Sequence, residues 1–85
     1  MERNVVIGAR LGLHARPAQK LTKAVAATGA KMTIARPGGR EINATSLLSV
    51  MGMGIKNGEE VVLASDDASA LDQIVKLLAS DLDAE

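Results

Sequence analysis

A length of 85 residues predicts one small domain, residues 1–85, near the lower range of sizes that fold unaided. Hydrophobic residues make up 47% and charged residues 24%, and ten Lys and Arg balance ten Asp and Glu, which reads as a soluble globular chain of zero net charge. That balance, with no Phe, Trp or Tyr, argues against a nucleic-acid partner, which wants a basic excess and stacking platforms.

No cysteine is present, so there is no disulfide framework or thiolate metal site. No apolar run suits a leader or a membrane span, and the cytoplasm is the expected compartment. The core must be built from Val, Ile, Leu, Met and Ala.

In chain order, "NVVIGA" is β-rich and predicts a strand. From Ala15 the period changes. Ala18, Leu21 and Val25 recur at helical spacing, Pro17 suits a first turn, and Gly29 stands where a helix C-terminus favours glycine. "KMTIAR", the turn signal "PGG" and "REIN" predict a hairpin over Lys31 to Asn43, with Met32 and Ile34 on one face. "SLLSVMG" predicts a short helix with Ser46 as N-cap and Gly52 as its stop. "EEVVLAS" predicts the fourth strand. Asp66 or Asp67 would cap a last helix carrying the stripe Leu71, Ile74, Val75, Leu78 and Leu82. The order β-α-β-β-α-β-α predicts an α+β fold, with helices on one face of a mostly antiparallel sheet.

The chemistry concentrates in "LGLHARPAQK". His14, the single histidine, stands immediately before the predicted helix. A helix N-terminus offers unpaired N–H groups and about half a positive charge, so it favours a phosphate. Neutral imidazole is a nucleophile, and its reference pKa of about 6.5 leaves much of it neutral near pH 7. Arg16 adds a planar fork of donors, and Arg16, Lys20 and Lys23 fall at i, i+4 and i+7 as a basic stripe. Together these residues describe a phosphoryl-accepting histidine. Read from the residues alone, a surface or capping histidine beside a solvated basic face remains the alternative.

Metal chemistry lacks ligands, with one His and no Cys, and no cofactor is implied. "GMGIKNG" is no dinucleotide fingerprint, since its third Gly falls one residue late and no strand–turn–helix surrounds it.

"GLHARPA", followed by "NATSLLSVMGMG" in the same order of elements, resembles the HPr family. These are the histidine-containing phosphocarriers of the phosphoenolpyruvate-dependent sugar phosphotransferase system. The resemblance spans essentially the whole chain. It implies an open-faced β-sandwich, a four-stranded antiparallel sheet covered on one face by three helices. It implies a carrier rather than an enzyme. His14 would take a phosphoryl group on Nδ1 from enzyme I and hand it to the A domains of sugar permeases, while Arg16 steadies the phosphate.

Ser46 matches a serine phosphorylated by a dedicated kinase in many relatives, with a phosphorylase to reverse it. Leu47, Leu48 and Met51 match an apolar docking surface, to which Lys20 and Lys23 would add a basic rim. Leu11 and Thr45 depart from the family, which often has a small polar and a basic residue at those places. A monomer is expected, with neither nucleic acid nor membrane as partner. Two other functions fit the same residues: an HPr-like regulator of a parallel phosphorelay, and a small module binding RNA or another anion through the basic stripe.

Overall fold

The computed structural model describes residues 1–82; residues 83–85, the end of the expected domain, lie outside them. Seven elements follow in chain order: β1 (Glu2–Val6), α1 (Ala15–Thr28), β2 (Met32–Ala35), β3 (Ile42–Asn43), α2 (Leu47–Gly52), β4 (Glu60–Ser65) and α3 (Ala68–Ala79). The strands form one sheet in the order β1-β4-β2-β3, antiparallel throughout. Register places Val5 opposite Val61, Ile34 opposite Leu63 and Thr33 opposite Asn43.

Successive strand residues point to opposite faces. One face carries Val5, Val61, Leu63, Met32 and Ile34, all buried. The other carries Asn4, Val6 and Glu60, all exposed, and there the Asn4 amide donates to Glu60 Oε2 at 2.6 Å. The three helices supply Ala18, Leu21, Val25, Val50, Leu71, Ile74 and Leu78 to the covered face, closing a single hydrophobic core. α3 packs on β1 and β4, while α1 packs on α2 and α3. None of the described helices is long and apolar enough to cross a membrane.

The ends of the helices follow from local chemistry. α1 stops at Gly29, whose φ of 72° is open to glycine but strained for most residues. Asp67 caps α3, its carboxylate accepting the Ala70 N–H at 3.0 Å, so of the two candidate aspartates the second is used.

Three boundaries differ from the sequence reading. The first strand starts earlier and ends at Val6. Beyond it the Ile7 N–H still donates to the Glu59 carbonyl at 2.9 Å in the β1–β4 register, but the Glu59 N–H turns back to Lys56 and the Gly8 N–H goes to Leu78 of α3 at 2.9 Å, which ends the ladder. "REIN" contributes only Ile42 and Asn43, because Arg40 and Glu41 remain in the exposed hairpin loop. Gly52 is the last residue of α2 rather than its stop; Met53 ends the helix and Gly54 turns the chain at φ 64°.

Candidate functional site

The chain between β1 and α1 is held so that His14 emerges at a fixed place. Leu13 is buried, and its N–H donates to the Ile55 carbonyl at 2.9 Å. Just before it, Gly12 adopts φ 77° and lies so close to the Ile55 carbonyl oxygen that a Cβ would collide with it. On the other side of His14, Pro17 and Ala18 are buried against the core. Buried anchors on both sides leave His14, Ala15 and Arg16 as an exposed step at the helix start.

His14 is the N-cap residue of α1. Its backbone carbonyl accepts the Ala18 N–H at 2.9 Å, while its side chain makes no capping bond. The ring is therefore not consumed in holding the helix. In the first turn Pro17 has no N–H, and the N–H groups of Ala15 and Arg16 have no hydrogen-bond partner among the described residues. That turn also lacks an acidic side chain to compete for them. The Arg16 guanidinium is likewise without a partner among the described residues. Two backbone donors and a five-donor cation thus follow His14 within the next two residues of the chain, a set of groups suited to an anion.

Arg16, Gln19, Lys20 and Lys23 line a shallow groove of about 270 Å³ along α1. Lys20 is half-buried and donates to the Leu82 carbonyl at 2.8 Å, tying the chain beyond α3 to this face. Nearby, Arg10 pairs with Asp81 at 2.9 Å. A larger depression of about 550 Å³ lies at the far end of α1, between Gly29, Lys31, Asp66 and Asp67, away from His14. Among the described residues no three His, Cys, Asp or Glu side chains cluster as a metal site would require.

The short helix α2 lies alongside α1. Of the three residues expected on its apolar surface, Leu48 is 82% exposed and Met51 38%, whereas Leu47 is only partly exposed and packs against the core. Leu47 and the buried Val50 share one side at i and i+3, and in a six-residue helix that side must face inward. Leu47 is therefore an underlayer, not part of an exposed knob. Leu11, which sequence reasoning left off this surface, is 76% exposed three residues before His14.

Ser46 is the N-cap of α2, but its hydroxyl makes no capping bond; it donates to Ser49 Oγ at 2.9 Å. The hydroxyl is thus engaged by the side chain at the third helical position, whereas an N-cap oxygen usually accepts a backbone N–H of the first turn.

Sequence reasoning also missed the turn at residues 55–58, which backs the His14 loop. Arg36 braces this turn through Glu59, with Nε to Oε1 at 2.8 Å, while Glu59 Oε2 accepts the Lys56 N–H at 2.7 Å. The Arg36 guanidinium, and secondarily the Lys56 N–H, holds the Glu59 carboxyl below the usual carboxylate range. The signal available in the sequence was the Asn57–Gly58 pair, a turn dipeptide.

Comparison with known proteins converges on one family. The family model described as the PTS HPr component phosphorylation site matches residues 1–80. The chain is 47% identical to the phosphocarrier protein HPr of Streptomyces coelicolor, over 96% of this chain and 91% of that one. It is 36% identical to the phosphocarrier protein HPr of Haloferax volcanii, over 94% of each. The crystal structure of an HPr from Bacillus anthracis superposes with a TM-score of 0.84 at 22% identity, covering 92% of this chain and 95% of that one, and so shares the fold. The chain belongs to the HPr family, the phosphocarriers of the phosphotransferase system, and is a carrier rather than an enzyme.

Proposed function

We propose that His14 is the residue that carries the phosphoryl group, receiving it from enzyme I and passing it to the A domains of sugar permeases. One observation carries this reading. The only histidine stands exposed at the N-cap of α1, ahead of two N–H groups and a guanidinium with no partners among the described residues.

In transfer, a ring nitrogen lone pair forms the N–P bond as the bond from phosphorus to the donor breaks. Handing the group on reverses the step toward the next acceptor. The helix dipole favours the resulting phosphate by about 0.3–1 kcal/mol, and Arg16 adds charge-assisted hydrogen bonds. Incubation with enzyme I, Mg²⁺ and phosphoenolpyruvate should add one phosphoryl group that is labile in acid and stable in base. No mass gain, or a gain that survives acid, refutes the reading. Zero net charge and the lack of aromatic residues speak against a nucleic-acid partner, and the lack of cysteine suits a cytoplasmic protein.

Leu48 and Met51, with Leu47 beneath them, form the apolar anchor that partners cover, and Arg16, Lys20 and Lys23 form its basic rim. Apolar anchors set affinity, while rim charges mainly set encounter rate. Leu48→Asp should therefore weaken enzyme I binding about tenfold or more with little change in melting temperature. Titration calorimetry giving wild-type affinity for this variant would remove Leu48 from the interface.

Ser46 is read as a regulatory site for a kinase and phosphorylase. Its place at the head of α2 favours an added negative charge electrostatically. The same charge beside Leu48 must be desolvated when a partner docks, which costs several kcal/mol. Ser46→Asp should hold the melting temperature yet slow His14 phosphorylation about tenfold or more. Wild-type transfer in that variant would leave Ser46 a purely structural helix start.

A further inference from the structure

We infer that Asn57 is a positioning residue for the phosphoryl-accepting histidine, its carboxamide fixing the connection that aims His14. The inference rests on the reading of His14 as the acceptor. Asn57 Nδ2 donates to the carbonyl of Ile7 at 3.3 Å and to that of Ala9 at 3.1 Å. Its two N–H bonds thus reach two points of the segment that leaves β1 and leads to His14.

Both carbonyls also matter to the backbone. The Ala9 carbonyl accepts the Gly12 N–H at 3.0 Å, which closes the tight turn before Leu13 and His14. The Ile7 carbonyl accepts the Gly58 N–H at 3.0 Å. Asn57 therefore fixes the acceptor on which the Gly12 turn is built.

No other side chain of the 55–58 turn reaches this connection by a hydrogen bond among the described residues; the remaining links, such as Leu13 N–H to the Ile55 carbonyl, are backbone. The turn itself is stiffened by Glu59, which joins Arg36 to the Lys56 N–H. Asn57 is exposed, so its removal opens no core cavity. What it supplies is direction. Aspartate has the same size and only acceptors when ionised, so it would set a carboxylate against two carbonyl oxygens.

A displacement of the reacting atoms by an ångström lowers transfer without loosening partner binding, because the surface on α2 is untouched. Asn57→Ala should reduce the saturating rate of phosphoryl transfer from enzyme I about tenfold, with the half-saturating enzyme I concentration unchanged. Asn57→Asp should be slower still. The His14 ring resonances of both variants should move in NMR spectra. Thr28→Val, which removes the Thr28 hydroxyl bond to Val25 at the far end of α1, should lower stability while leaving rate and ring signals alone.

A wild-type saturating rate in Asn57→Ala, a loss confined to half-saturation, or unmoved His14 resonances in either variant overturns the assignment. If instead the wild-type protein accepts no phosphoryl group on His14, the reading of the acceptor fails; the ring resonances still decide whether Asn57 positions that side chain.

Discussion

His14→Ala should accept no phosphoryl group from enzyme I and phosphoenolpyruvate, with a circular-dichroism spectrum and melting temperature close to wild type. The loss is complete because no second imidazole exists in the chain. Serine and threonine hydroxyls are poor nucleophiles without an adjacent base, and no cysteine is present to substitute. The fold survives because the exposed His14 side chain makes no capping bond and lies outside the core. The backbone carbonyl that accepts the Ala18 N–H remains in place. Exposed positions of this kind usually change stability by about 0.5 kcal/mol or less. Mass spectrometry and thermal melting on one preparation separate the two expectations. Labelling of the alanine variant at any site would mean that another residue carries the group.

Arg16→Ala should slow transfer about tenfold to a hundredfold, since a hydrogen bond to a charged group is worth roughly 1.5–3 kcal/mol and each 1.4 kcal/mol is about a factor of ten. The guanidinium has no ion-pair partner among the described residues, so its removal leaves no carboxylate orphaned there. The cost should therefore appear in transfer and not in folding. Arg16→Lys should recover part of the rate, because an ammonium supplies the charge without the planar fork. Quench-flow measurement of single-turnover transfer tests this, and a wild-type rate in the alanine variant would sink the assigned role.

How legible these features were depends on the range of the interaction that makes them. α1 was readable at both ends because Pro17 and Gly29 act on their own backbone. The Asp67 cap was readable to within one residue for the same reason. Strand limits were less so. "NVVIGA" looks uniformly strand-forming, yet the pairing ends where the Glu59 N–H turns back to Lys56 and the Gly8 N–H goes to Leu78, partners no local pattern announces. Leu47 looked as exposed as Leu48 until the packing of α2 set which side faced the core.

The candidate site divides in the same way. His14 and Arg16 stood out by residue type and by resemblance. Asn57, more than forty residues away in sequence, enters only through its two carbonyl partners; an Asn–Gly pair signals a turn but not what that turn holds.

The pairing of Glu2 with Ala64, 62 positions apart in the sequence, bears on how the protein comes into being. β1 has no neighbour in the sheet except β4, so it waits unpaired during translation until most of the chain has left the ribosome. The Gly8 N–H must wait longer still, for Leu78. Contacts of such long range slow folding and make it cooperative. A nascent chain stalled before β4 already contains His14, the whole of α1 and the Ile55–Gly58 turn, but neither the strand that pairs with β1 nor the helix whose Leu78 receives the Gly8 N–H. With His14 as the proposed acceptor, phosphoryl acceptance is expected only once β1 is paired and the segment that leads to His14 is held at both ends. Translation intermediates would then carry the histidine without competing for the donor.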